Sequence, residues 1–222
     1  MKLTTSCYNR WTKEGGRREI SAELRIGLRW TVQELAKDIP RVIGPPRSEM
    51  PVLVFTDGAC EPSGTTVGGV IIDGVGPVEY FGLVIPESVV NSWRSKVGQK
   101  QVIGQAELFP VLVARLTWKS RIAGRRVYYF IDNESARLAL VKSYSPCLSS
   151  LKIVMSCLAW DQEALSSPWY ARVPTHSNIA DAPSRMTTNA ELEKMQAVCV
   201  VPRVPTEWSA SGLSELGVLR SQ

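Results

Sequence analysis

Four acidic residues stand where apolar stretches begin or end. Asp57 closes the run Val52-Leu53-Val54-Phe55-Thr56 and is followed by Gly58. Glu107 opens an apolar stretch, Asp132 closes Val127-Tyr128-Tyr129-Phe130-Ile131, and Asp181 sits in the late run Asn178-Ile179-Ala180-Asp181-Ala182-Pro183-Ser184-Arg185. Taken singly, each has an ordinary role. Asp57 can open a turn with Gly58, Glu107 can compensate a helix dipole, and Asp132 or Asn133 can cap the helix that follows. Brought together, four carboxylates repel one another and their pKa values rise. A divalent hard cation relieves that conflict. An all-oxygen set without a His/Cys cluster points to magnesium or manganese rather than zinc. Two such ions roughly 4 Å apart activate a water and stabilise the leaving oxygen of a phosphodiester.

The elements must bring these acids to one place. Residues 52–60 read as a buried strand, bounded by Pro51 and Gly58. Val67 to Asp73 and Val78 to Ile85 follow as two more strands, and their short connections favour antiparallel hairpins. The longer connection from Pro86 to Ile103 carries Trp93, Arg94, Lys96 and Lys100. Leu108, Leu112 and Leu116 recur at four and predict a helix over Gln105 to Ser120, with Glu107 in its first turn and Pro110 near its start. Arg125 to Ile131 is a strand, Glu134 to Ser143 a helix, Leu148 to about Ala164 another helix, and Trp169 to Val173 a short strand. Pro174 to Arg185 reads as a loop running into a short helix. The whole is an α/β fold: a mixed five-stranded sheet, three antiparallel strands then parallel ones, flanked by helices. Right-handed crossovers lay the later strands parallel to the first, so Asp57 and Asp132 come to one edge.

Outside residues 50–186 the chain has appendages. Residues 1–18 read as a basic, flexible N-terminus. Within 19–49, Ile20, Leu24, Leu28, Val32, Leu35 and Ile39 form one helical stripe that must pack on the domain or on a partner, and a linker from Arg41 follows Pro40. Residues 187–222 read as a loose tail with one helix, Ala190 to Ala197. The first 49 residues hold ten Lys/Arg against six Asp/Glu, and so carry most of the net charge of +5. That excess suits a polyanionic partner or a solvated terminus equally. Five cysteines without C-x-x-C spacing support neither a disulfide framework nor a zinc site, and fit a reducing intracellular setting, cytoplasmic or nuclear. No apolar run is long enough to cross a membrane, so no membrane partner is expected.

Thr-Asp-Gly-Ala at 56–59, Gln-Ala-Glu-Leu at 105–108, Phe-Ile-Asp-Asn at 130–133 and Asn-Ile-Ala-Asp-Ala-Pro-Ser-Arg at 178–185 together resemble the ribonuclease H domain of retroelement reverse transcriptases. The last motif is most similar to eukaryotic retrotransposons of the DIRS-like kind. The resemblance covers about residues 50–186, and the 20–39 helix is similar to the segment that joins a polymerase to this domain. It implies a ribonuclease H-like fold and hydrolysis of the RNA strand of an RNA–DNA hybrid, leaving a 3′-hydroxyl and a 5′-phosphate. It further implies two Mg2+ (or Mn2+) ions and a polymerase domain as partner. Asp57 would bridge both ions, Glu107 and Asp132 complete one, and Asp181 the other.

Candidate substrate contacts are Gly68, Gly69, Trp93, Lys96, Lys100, Asn133, His176, Asn178 and Arg185, because a hybrid is gripped mainly through its backbones. Each also has a plainer role: a bulge at the glycines, a tucked tryptophan, a solvated loop, a cap at either asparagine. His176 is the sole histidine and precedes Asp181 by five residues. It differs from the mobile loop histidine of cellular ribonucleases H, and a phosphate contact or loop solvation suits it better than catalysis. Lys119, Arg121, Arg125 and Arg126 fall at the end away from the acids, as a solvated face or distal contact. The competing expectation is a catalytically weak hybrid-binding or scaffolding module of the same fold within a ribonucleoprotein.

Overall fold

A computed structural model describes residues 22–37, 50–94 and 102–205. The chain divides between Glu49 and Met50 into two units. In the first, helix α1 (Ala22–Ala36) covers the middle of the expected stripe, and Leu28, Val32 and Leu35 on it are exposed. The expected N-terminal arm, the linker from Arg41, and Lys96 and Lys100 lie outside the described residues. No helix among the described residues is long and apolar enough to cross a membrane.

The second unit is built on a sheet with strands β1 (Val52–Glu61), β2 (Gly64–Ile72), β3 (Glu79–Ile85), β4 (Arg126–Ile131), β5 (Ser167–Arg172) and β6 (Val198–Cys199), in the order β5-β4-β1-β2-β3-β6. The first three pair antiparallel, while β4 runs parallel to β1, and β5 to β4. These are the five expected strands. A sixth, β6, adds two residues parallel to β3 at the far edge.

The helices are α2 (Glu87–Trp93), α3 (Ile103–Thr117), α4 (Lys119–Ile122), α5 (Glu134–Lys142), α6 (Leu148–Glu163), α7 (Asp181–Ser184) and α8 (Ala190–Lys194). Helix α3 is the central one and is buried from Gln105 to Arg115. Its apolar residues meet Val54, Val67, Ile71 and Phe81 of the sheet in one core with α6. It starts earlier than its leucine spacing predicts. Glu107 therefore lies in the second turn, no acid occupies the first turn, and dipole compensation is not its role. Pro110 is interior rather than near the start.

The tail is another correction. Leu192 of α8 is buried with Val70, Tyr80 and Ala180, and Val200 and Val204 pack against the main core. The Val198 N–H donates to the Val78 carbonyl (2.8 Å) and the Val200 N–H to the Tyr80 carbonyl (2.9 Å). Residues 187–205 thus belong to the folded unit. Their mixed proline and apolar composition hid a strand two residues long, too short to show a period.

The basic cluster also reads differently in three dimensions. The Arg121 guanidinium grips Asp73 (2.7 Å) and Glu79 (3.1 Å), and Arg125 reaches Asp73 (3.6 Å) and the Met50 carbonyl (2.9 Å). The Asp73 carboxylate also accepts from the N–H groups of Val75 and Gly76. These donors, the Arg121 guanidinium first, hold its carboxyl well below the usual range. Arg121 and Arg125 are thus internal staples at the sheet end where β1 starts, and not a solvated face.

Arg115 is fully buried between α3, α6 and the sheet. Its Nε and Nη2 donate to the two oxygens of Asp161 (2.9 and 2.8 Å), Nη2 also to the Tyr170 hydroxyl (2.8 Å), and Nη1 to the Val111 carbonyl (3.0 Å). The guanidinium lies 4.2 Å from the centre of the Tyr129 ring. A bidentate partner and further acceptors are what make a buried charge tolerable. Asp161→Ala leaves that charge uncompensated and is expected to destabilise the fold by about 3–5 kcal/mol, read from urea unfolding. A loss under about 1 kcal/mol, the range of exposed pairs, would show that the pair is not holding α6 to α3.

Candidate metal centre

Position 57 lies within β1, and its cross-strand partner is Gly68 on β2. Residue 58 faces the opposite side, against α3. A Cβ at Gly58 would stand 2.4 Å from the Ala106 carbonyl oxygen and 2.8 Å from the Glu107 nitrogen. Only a glycine lets helix and strand backbones approach so closely. Pro110 contributes here, because it lacks the N–H that would have bonded the Ala106 carbonyl one turn back. This contact sets Glu107 beside Asp57. Asp132 follows directly on β4, which runs parallel to β1 with Thr56 opposite Ile131.

The outcome is a cluster of Asp57, Glu107 and Asp132 in which one oxygen from each lies within 4.8 Å of the others. Asp57 and Glu107 are about 5 % exposed. Burial, opposed by a hydrogen bond from Ser184 and reinforced by Asp132 and Asp181, pushes Asp57 up to about 6. Burial and then the charges of Asp57 and Asp132 push Glu107 up to about 9, against hydrogen bonds from the Asn133 side chain and the Gly58 N–H. Glu107 Oε2 and Asp132 Oδ1 are buried with no hydrogen-bond partner. Buried acceptors of this kind are costly unless something binds them. Three close carboxylates with orphaned oxygens fit a hard divalent cation, the donor set that Mg2+ or Mn2+ takes.

Asp181 arrives from the last loop. A 3-10 turn (Thr175–Ser177) leads to Asn178, whose Nδ2 donates to the Thr56 carbonyl (3.1 Å) while its Oδ1 accepts from the Ala180 N–H (3.2 Å). Asn178 is buried, so it ties this loop to β1 rather than meeting a substrate. Asp181 stands at the start of α7, more exposed than Asp57 and Glu107 and outside the cluster, but close enough to raise the pKa of Asp57. Its Oδ1 accepts from Arg185 Nε (3.2 Å), and Arg185 also pairs with Glu61 (2.7 Å).

The remaining candidates separate clearly. Asn133 caps α5, accepting from the Ala136 N–H (3.0 Å), and reaches Glu107. His176 is exposed on the 3-10 turn. Trp93 is corrected: it is 2 % exposed and packs edge-on against Phe109 (5.4 Å), so it is core and offers no ring to a hybrid. Gly68 and Gly69 are corrected as well. A Cβ at Gly68 would meet the Ser184 nitrogen at 2.3 Å, and one at Gly69 the Phe81 ring at 2.6 Å. Both spaces are filled by the chain itself. The residue that the sequence leaves unmarked is Ser184. No local pattern tells that its hydroxyl reaches Asp57, 127 positions earlier.

No family model matches the chain, and no curated protein does. Among solved structures it is similar to ribonuclease H1 of the halophilic archaeon Halobacterium salinarum, at 17 % identity and a TM-score of 0.48, over 60 % of this chain and 94 % of that one. It is similar also to the N-terminal ribonuclease H domain of a Mycobacterium tuberculosis protein, at 14 % identity and a TM-score of 0.44, over 66 % of this chain and 99 % of that one. A third is a compost-derived ribonuclease H1 solved with an RNA/DNA hybrid, at 17 % identity and a TM-score of 0.41, over 64 % and 99 %.

The raised carboxyl groups give a signed pH dependence. A folded-state pKa above the unfolded one means that the folded chain binds more protons, so stability falls as pH rises. The Asp57 part is lost between its ordinary value of 3.8 and about 6, and the Glu107 part between 4.5 and about 9. In EDTA the melting temperature is therefore expected to fall steadily from about pH 5 to pH 8, and Glu107→Gln to flatten the upper part of that slope. Identical slopes in wild type and variant would contradict the assignment to Glu107.

Proposed function

We propose that this chain is a divalent-cation-dependent endonuclease that hydrolyses the RNA strand of RNA–DNA hybrids. The observation that carries the reading is the close trio of buried Asp57, buried Glu107 and half-buried Asp132, with two carboxylate oxygens left unpartnered and Asp181 nearby. A protein that used these acids only for structure would have given those oxygens hydrogen bonds.

The charges of both Asp132 and Asp181 act on Asp57, which supports reading Asp57 as the carboxylate common to two cation positions. Glu107 and Asp132 would hold one cation with Asp57, and Asp181 would hold the other. When bound, Mg2+ or Mn2+ supplies Lewis-acid activation of water and stabilises the leaving oxygen of the phosphodiester. The chain's part is to hold the carboxylates close together and aimed, and a bound cation would favour their ionised forms. Asn133 and the Gly58 N–H orient Glu107, and the Asn178 bridge keeps the Asp181 loop on β1. The exposed Arg185, paired with Asp181, borders the site where a backbone phosphate can meet it, and His176 is exposed on the turn before Asn178 as a second candidate for such a contact. Products are a 3′-hydroxyl and a 5′-phosphate.

The setting we infer is the ribonuclease H part of a retroelement reverse transcriptase, acting beside a polymerase domain. The support is the set of four motifs, of which the stretch from Asn178 to Arg185 is the most specific.

The test uses an end-labelled RNA–DNA hybrid with magnesium, manganese or EDTA, beside Asp57→Asn. RNA cuts that need the metal and vanish in the variant are the expected result. Cutting that survives EDTA, or is equal in the variant, would sink the proposal. Hybrid binding without any turnover would replace it with a binding module.

A further inference from the structure

Ser184 is fully buried, so its hydroxyl reaches neither a substrate nor solvent. It lies 2.5 Å from Asp57 Oδ2 and 2.8 Å from the Asp181 carbonyl. One side chain therefore touches both the carboxylate in the middle of the site and the backbone of the residue that carries the fourth. The Asp181 carbonyl can only accept a hydrogen bond, and a hydroxyl has a single proton. When Asp57 is ionised, the charge-assisted bond to the carboxylate is the stronger of the two.

The geometry that makes this possible is specific. Asp57 and Gly68 are cross-strand partners, so their side chains leave the sheet on the same face. The Ser184 nitrogen occupies the space of the missing Gly68 Cβ, at 2.3 Å from where that atom would stand. Helix α7 thus rests backbone to backbone on β2, and residue 184 comes down directly beside Asp57. Glu107 and Asp132 have no such link to α7 among the described residues.

We propose that Ser184 is a positioning residue: its hydroxyl fixes the rotamer of Asp57, and its backbone, seated over Gly68, keeps the α7 turn that carries Asp181 beside it, so that the cation site forms as a unit. This rests on the metal-dependent reading above. Partners of a ligating carboxylate act by orienting it, and losing one costs about 10–100-fold in metal affinity or activity. The substitution Ser184→Ala removes one oxygen with no added bulk.

The experiment measures Mn2+ and Mg2+ binding to the full chain by calorimetry, together with kcat and KM on the hybrid and the melting temperature in EDTA. For S184A, cation binding is expected to weaken about tenfold or more, kcat to fall and KM for the hybrid to stay near wild type, while the EDTA melting temperature falls only by the loss of one buried hydrogen bond. Ser184→Thr keeps the hydroxyl and is expected to recover most of the affinity. Wild-type cation affinity in S184A overturns the proposal. So does equal weakening in S184A and S184T, which would assign the loss to packing under α7. A wild-type chain that takes up no cation overturns the metal-dependent reading itself, and this inference with it.

Discussion

Carboxylates crowded out of water within 4.8 Å of one another are the constraint on which this domain turns. Desolvation and mutual repulsion both disfavour their charged forms, and neither term is offset within the cluster. The rest of the fold must therefore supply enough packing to hold the groups where they would not stay by themselves. The sheet and α3 do this by burying a continuous apolar core between them.

The close approach of backbones turns that packing into placement. At Gly58 helix α3 comes down on β1, and at Gly68 helix α7 comes down on β2. The two glycines face opposite sides of the sheet, and each brings a metal-ligand candidate with its helix: Glu107 in one case, Asp181 in the other. Side chains at either position would hold the helices off by the width of a methyl group or more. The acids would then lie too far apart to share an ion. Asn178 and Ser184 add the polar ties that keep the short α7 in register, since four helical residues have little stability of their own.

Away from the site, the sheet is held by two charge networks with different physics. Arg115 and Asp161 are buried and bidentate, and they tie α3 to α6 in the core behind the acids. Arg121, Arg125, Asp73 and Glu79 close the opposite end of the sheet, partly solvated. Both take arginines that a linear reading would leave on the surface. The exposed Leu28 and Leu35 of α1 belong to a separate unit.

Much of the architecture was legible in the sequence, because strand alternation, helix period and breaker residues are local signals. The five main strands and the three long helices of the domain follow from them, as does the convergence of Asp57 and Asp132, since parallel strands end on one edge. The types of Asp57, Glu107, Asp132 and Asp181 likewise implied hard-cation chemistry before any coordinates. What only the tertiary structure decided was contact between distant backbones. The packing roles of Gly68 and Gly69, the burial of Trp93, the pairing of Arg121 with Asp73, the two-residue β6, and the reach of Ser184 to Asp57 all depend on which surfaces meet. A glycine or a serine carries no periodic signal. Its meaning is set by what fills the space beside it, and that neighbour comes from a part of the chain that local pattern cannot see.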